Sequence, residues 1–395
     1  MPADPSIASP PVPDRFGPVQ VAGNVLSLLT SSSSQLDAYT ADIETATRSI
    51  DLEAYIFADD PFGRRMIDLL SRKAKTGVRV RVLVDAVGSL ATDESLFTPL
   101  LDCGGQVHIY RPVTGIFSRW YFVSWFNRRD HRKLLVVDGK VGYFGGMNIV
   151  DTAHPDPFTP SLPHISGGWK DVQVRAEGPI VEDLSTAFDR LWRKVVHKEK
   201  IRWPKWPTPP RPGKEAIALF DSFPAIRFRR PDTILVPLLS AARERIVVSM
   251  AYFVPIRQLL RTLAEARDRG VCVEVFVPTD SDVPAVLWAT RHLAAWLLGR
   301  GIAIHERSGP MLHSKLVRID DDLAIVGSCN LDPRSLRDNL ELFAVIRSRE
   351  FARLCDEILA DDRRASQLVE PEHLAARPWW IRWRDWLAWR FRRLL

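Results

Sequence analysis

Cysteine is scarce in this 395-residue chain, and the four present, Cys103, Cys272, Cys329 and Cys355, are scattered. No two stand at C-x-x-C spacing. Neither a zinc site nor a disulfide framework is indicated, and the pattern fits a reducing compartment. The nine histidines form no H-x-H and no H-E-x-x-H pair, so no metal and no other cofactor is expected. Long apolar runs are missing as well; none reaches the roughly 20 residues needed to cross a bilayer. Residues 1–18 are rich in Pro, Ser and Asp and lack the basic and apolar segments of a signal peptide. Residues 1–24 therefore read as a disordered lead, and any membrane contact is expected to be peripheral. A strong charge of one sign is also absent. The net charge of +6 suits a phosphate-bearing partner without choosing between a membrane surface and a nucleic acid.

What the chain has is a repeat. Residues 49–57 carry a buried-strand pattern, residues 63–75 are helical in periodicity, and residues 78–84 form a strand rich in valine. Residues 245–253, 256–269 and 271–277 follow the same order. Parallel strands need a crossover, which each helix supplies. The pattern predicts an α/β chain made of two pseudo-symmetric α/β/α sandwich halves with mixed sheets, at residues 25–200 and 215–365. Residues 201–214 between them hold five prolines, which continue neither a helix nor a central strand. They read as a stiff linker, with a Trp-bearing membrane contact as the alternative.

Each half leads to one octet. The first is His131-Arg-Lys133-Leu-Leu-Val-Val-Asp138, followed by Gly145-Gly146-Met-Asn148. The second is His313-Ser-Lys315-Leu-Val-Arg-Ile-Asp320, followed by Gly327-Ser328-Cys-Asn330. One H-x-K-x4-D match is an ordinary coincidence; two with the same downstream Asn are not. In extended chain alternate residues share a face, so His131 projects with Lys133 and His313 with Lys315. Asp138 and Asp320 fall on the other face, before a turn. Although part of the motif, they read as acceptors of backbone hydrogen bonds. Gly145-Gly146 and Gly327-Ser328 allow close backbone approach, and the Ser328 hydroxyl is a candidate phosphate donor. Brought face to face, the half-sites would set two imidazoles, two ammonium groups and two amides around one phosphodiester.

These residues resemble the phospholipase D superfamily, whose signature is a pair of His-Lys-Asp motifs, and within it the bacterial cardiolipin synthase branch. Tyr252-Phe-Val-Pro255, Gly327-Ser-Cys-Asn-Leu-Asp-Pro-Arg-Ser335 and Trp169-Lys-Asp171 carry the likeness further, and it covers residues 25–360. Many members have N-terminal membrane spans; this chain looks like the shorter, span-less form. The resemblance implies an active site at the interface of the halves, built on His131, Lys133, Asp138, His313, Lys315 and Asp320. One histidine would attack phosphorus and form a phosphohistidine; the other would protonate the leaving alcohol and activate the next one. The reading favours His131 as nucleophile and His313 as acid/base, and the near-equivalence of the halves leaves the reverse open. Lys133, Lys315, Asn148, Asn330 and Ser328 would hold the phosphate oxygens. Asp171 and Glu341 resemble the family's carboxylates that orient the histidines; Asp171 stands where most members have Glu. No metal takes part in this family's catalysis.

Three segments bear on the substrate. Residues 116–126 are dense in aromatics just before His131. Residues 282–300 read as a helix carrying Trp288 and Trp296. Residues 366–395 form a tail in which Trp379, Trp380, Trp383, Trp386 and Leu387 share one helical face, interleaved with arginines. An amphipathic helix of Trp and Arg is the form of an interfacial anchor; packing onto the protein is the alternative. The loop 151–168, with His154 and His164, follows the first motif and could shape the mouth.

The reading is a phosphatidyl transferase that makes cardiolipin from phosphatidylglycerol and a second phospholipid, with phosphatidylethanolamine as a co-substrate also seen in the family. It would sit peripherally on the cytoplasmic face of the bacterial inner membrane. A phospholipase D releasing phosphatidic acid uses the same site. A nuclease-type phosphodiesterase is disfavoured by the aromatic tail, and no nucleic acid partner is expected. A membrane-binding protein with a decayed site is disfavoured by intact His, Lys and Asn in both halves.

Overall fold

The computed structural model describes residues 14–112, 128–152, 168–201, 203–223 and 226–393. The first half contributes β1 (Arg15–Val21), β2 (Asn24–Leu29), β3 (Ser49–Ala54), β4 (Arg79–Asp85), β5 (Gln106–Tyr110), β6 (Leu134–Val137), β7 (Val141–Gly145), β8 (Trp169–Lys170) and β9 (Gln173–Glu177). The second contributes β10 (Ala216–Asp221), β11 (Arg245–Met250), β12 (Cys272–Pro278), β13 (Ala303–Arg307), β14 (Met311–Leu312), β15 (Lys315–Ile319), β16 (Leu323–Gly327), β17 (Leu342–Arg347) and β18 (Ser366–Leu368).

The two sheets have the same plan. One runs β1-β2-β9-β7-β6-β3-β4-β5 and the other β10-β17-β16-β15-β11-β12-β13-β18. Only β3-β4-β5 and β11-β12-β13 are parallel; the remaining neighbours within each sheet are antiparallel. The first crossover helix, Pro61–Lys75, shows why these segments fold locally. Asp60 caps it by accepting from the Gly63 N–H at 2.8 Å, Pro61 opens it, and Arg72, Lys73 and Lys75 close it. Met66, Ile67, Leu70 and Ala74 make the buried stripe.

Each sheet has an outer core of its own. A third core lies between the sheets and is shared by both halves. It joins Leu134, Phe144, Val174, Leu184 and Phe188 to Leu316, Val326, Leu342, Phe351 and Ile358. The helices Ile180–Val196 and Arg349–Arg364 fill it. The halves are therefore fused through apolar packing, and the ends of their motif strands meet.

Two boundaries differ from expectation. Residues 15–21, expected in the disordered lead, form β1 against β2, with Phe16 and Val21 buried in the shared core. Proline and serine upstream masked this short apolar alternation. Residues 366–368, expected in the tail, form β18 on the edge of β13. Residues 203–214 have neither helix nor strand. Trp203 of this segment is buried and stacks on Phe223 at 4.3 Å, and Trp206 packs edge-on against Phe220. The aromatic segment 116–126 and the loop histidines His154 and His164 lie outside the described residues.

Candidate active site

The expected strand through His131 begins only at Leu134. His131 sits just before it, and its position is fixed from the other half. Its N–H donates to the Leu340 carbonyl at 2.9 Å, beside the parallel bridge of Asp130 with Leu340. His313 is held in mirror fashion. Its N–H donates to the Lys170 carbonyl at 2.7 Å, where β14 pairs in parallel with β8. Both halves are thus stitched together at the two histidines.

The carboxylates cross over in the same way. His131 Nδ1 lies 3.1 Å from both oxygens of Glu341, which belongs to the second half. His313 Nδ1 lies 2.5 Å from Asp171 Oδ2, which belongs to the first. Fixing Nδ1 aims Nε2 into the space between the halves. Both histidines line one cavity of about 390 Å³, with Asn148 and Asn330 beside them. Asn148 Oδ1 accepts from the Ile56 N–H at 3.1 Å, so its amide N–H2 is left for a ligand. The lysines stay close to their own histidines: Lys133 Nζ donates to the His131 carbonyl at 2.6 Å, and Lys315 Nζ lies 2.8 Å from His313 Nδ1.

Three residues of the motifs have structural roles. Asp138 and Asp320 do not line the cavity. Asp138 accepts from the backbone N–H groups of Thr47, Arg48 and Ser49 at 2.8–2.9 Å. Asp320 accepts from those of Arg243, Glu244 and Arg245 at 2.8–3.2 Å. Each locks the turn after its motif strand to the start of the neighbouring strand, and both have left-handed backbone, φ 54° and 52°. Ser328 is not a phosphate donor here. Its hydroxyl donates to Glu341 and accepts from the Leu342 N–H at 3.0 Å, which uses it up.

Gly146 occupies the place of Ser328 in the first half. A Cβ there would come within 2.1 Å of the Asp171 carboxylate. The two half-sites are matched pairs: Gly with Asp, and Ser with Glu. The departure from Glu at Asp171 is accommodated by this space.

Aromatic rings wall the site. Tyr55 meets the His131 ring edge-on at 5.0 Å, and Trp169 stacks on His313 at 4.5 Å. Tyr252 donates its hydroxyl to Asp282 at 2.7 Å. The sequence reading gave Tyr55 no role. The repeat does not mark it: the strand registers set Tyr55 in the place of Ala251, and Tyr252 in the place of Ile56. Arg334 also lines the cavity.

Burial dominates the electrostatics. It pushes the Lys133 ammonium down to about 7, against the attraction of Glu341. It raises Glu341 to about 8, opposed by Lys133. It holds His131 well below its ordinary value, helped by the charges of Lys133 and Lys315. His313 is lowered by burial and Lys315, while Asp171 pulls it back up. Both imidazoles are thus biased towards their neutral forms, His131 the more strongly, and Asp171 opposes that bias at His313.

The tail ends in a helix, Trp379–Arg390. It docks on the helix Pro284–Leu298 through a mixed face, with Ala388 and Trp389 packed on Val286 and Ala289. Asp385 is buried and paired with Arg377 at 2.5 Å and Arg384 at 2.9 Å, and Arg384 lies over the Trp288 ring. Trp379, Trp380, Trp383 and Trp386 are exposed. No helix among the described residues is long and apolar enough to cross a membrane.

Residues 39–158 and 235–363 match a family described as cardiolipin synthase, PLD-like domain. The chain is 30% identical over 369 residues to cardiolipin synthase 1 of Staphylococcus epidermidis, covering 92% of this chain and 73% of that protein. It is 30% identical over 372 residues to a cardiolipin synthase of Listeria monocytogenes, covering 93% and 75%. Its fold is shared with phosphatidylserine synthase from Haemophilus influenzae, with a TM-score of 0.71, 15% identity, and 96% and 97% of the two chains covered.

Proposed function

The chain belongs to the family of cardiolipin synthases with phospholipase D-like domains, and from that premise we propose that it is a phospholipid transferase that makes cardiolipin. The observation that carries this reading is the pair of cross-braced histidines facing one cavity, each Nδ1 held by a carboxylate of the other half.

His131 Nε2 attacks the phosphorus of phosphatidylglycerol, and the bond from phosphorus to the head-group glycerol oxygen breaks. His313 gives its proton to that oxygen, and glycerol leaves. The hydroxyl of a second phosphatidylglycerol then gives its proton to His313 and attacks phosphorus. The phosphorus–nitrogen bond breaks, cardiolipin forms, and His131 returns to its neutral state. Lys133, Lys315 and the Asn148 and Asn330 amides hold the non-bridging oxygens as charge shifts onto them. The stronger downward shift of His131 supports its role as nucleophile, and the upward pull of Asp171 on His313 against burial supports that ring as acid. Glu341 and Asp171 keep the imidazoles in the reactive tautomer.

The exposed Trp face supports peripheral contact of the tail with the lipid surface, where such rings and flanking Arg382, Arg390 and Arg393 are at home. On this reading the contact is with the cytoplasmic leaflet of a bacterial inner membrane. The test is incubation of the protein with phosphatidylglycerol vesicles and mass spectrometry of the lipids. Cardiolipin and free glycerol are expected, and both disappear in His131→Ala. Phosphatidic acid without cardiolipin would make the protein a hydrolase instead.

A further inference from the structure

We propose that Arg334 binds the phosphate of the acceptor phospholipid, the second anionic phosphate brought into the cavity, and so selects a lipid alcohol over water or a small alcohol. This rests on the transferase reading above and names the residue that sets its acceptor.

Arg334 lies in the short helix Pro333–Arg337, whose first turn is pinned by Asp332. The Asp332 carboxylate accepts from the backbone N–H groups of Arg334 and Ser335 at 2.8 and 2.9 Å. This anchoring fixes the Arg334 backbone at the cavity wall, on the side close enough to His131 for its charge to lower that imidazole. The guanidinium itself is uncommitted. Its Nε is buried without a partner, and the group makes no ion pair among the described residues. An uncommitted, partly desolvated guanidinium is costly unless a ligand completes it.

The carboxylates lining the cavity are already occupied. Asp332 caps the helix, and Asp282 accepts the Tyr252 hydroxyl at 2.7 Å. The reacting phosphate has its own donors in Lys133, Lys315, Asn148 and Asn330. A second anion is present only when the acceptor is itself a phospholipid, because water and simple alcohols bring none. In the product the two phosphates are one glycerol apart, so the acceptor's phosphate must sit beside the first, within the same cavity. A planar fork of N–H donors suits a phosphodiester there.

The test is a competition for one covalent intermediate. Vesicles of phosphatidylglycerol are incubated with the protein in the presence of ethanol, and cardiolipin and phosphatidylethanol are measured in the same tube. Both products draw on the same phosphatidyl-histidine, so their ratio reports acceptor choice and is independent of how much enzyme is folded. Arg334→Gln is expected to lower the cardiolipin to phosphatidylethanol ratio by about ten- to a hundredfold, and Arg334→Lys to restore part of it. An unchanged ratio in Arg334→Gln overturns the proposal and leaves the transferase reading standing. Loss of both products in that variant also overturns it, since Arg334 would then serve the first phosphate. A wild-type protein that makes phosphatidylethanol but no cardiolipin overturns the cardiolipin-forming reading and this inference together.

Discussion

At the scale of single residues, the site depends on burial shifting basic groups towards neutrality. Burial disfavours both charged forms, pushing the Lys133 ammonium down to about 7 and the Glu341 carboxyl up to about 8. The sign follows directly. Raising the pH through this range removes a proton first from Lys133 and then from Glu341, so the cavity loses positive charge and gains negative charge. Affinity for an anionic diester is expected to fall, with KM rising several-fold between about pH 6 and 9. KM measured across that range checks this; a flat profile contradicts it. The H-x-K spacing was legible in the sequence because it is a local pattern, although each histidine sits just ahead of its motif strand, β6 or β15. The role of Ser328 was not. Its hydroxyl lies in a phosphate-like motif but is spent on Glu341, a residue that reaches it only through the pairing of β16 with β17.

At the scale of elements, the helix Trp379–Arg390 is unusual in which side it buries. It hides Asp385, neutralised by Arg377 and Arg384, and presents four tryptophans to solvent. That exposed face was readable from the helical projection. The docking was not, because a lone Asp among arginines gives no sign of being the buried residue. Trp389 and Ala388 pack near Tyr252 and Val286, so the helix is braced against the wall of the active-site cavity. A membrane bound by the tryptophans would lie near the mouth. Replacing Trp383 and Trp386 together by alanine is expected to weaken binding to phosphatidylglycerol vesicles about tenfold or more, with little change in thermal stability. Vesicle co-sedimentation alongside a thermal melt measures both. Equal binding by the variant would remove the tail from the membrane contact.

At the scale of the whole molecule, the two halves are one catalytic unit. Besides the shared apolar core, a buried charge cluster joins them. Lys170 of the first half reaches Asp361 at 2.5 Å and Asp362 at 2.7 Å in the second, and Ser249 donates to Asp362 at 2.8 Å. Lys170 is also the neighbour of Asp171 and the carbonyl partner of His313. Lys170→Met would leave Asp362, a fully buried carboxylate, with Arg307 Nε at 3.1 Å as its remaining cation. A loss of about 3 kcal/mol of stability is expected, read from the denaturant midpoint. Turnover should fall with it, because the strand that carries Asp171 loses its anchor. A variant as stable as the parent would show that Arg307, 3.3 Å from Asp361 and 3.1 Å from Asp362, is enough to hold the cluster.

By itself the sequence determined the repeat, the strand–helix–strand order of each half, the two H-x-K pairs with their Asn partners, and the existence of a Trp-faced tail. All of these rest on local rules: strand alternation, helix periodicity, capping and fixed spacing along the chain. Only the tertiary structure decided that Glu341 serves His131 and Asp171 serves His313, that Arg334 enters the cavity uncommitted, and that Asp385 is the residue by which the tail docks. Those contacts join positions up to 210 residues apart, as between His131 and Glu341. Such pairings are selected by the packing of whole sheets around a common core, and that selection leaves no periodicity in the chain to read.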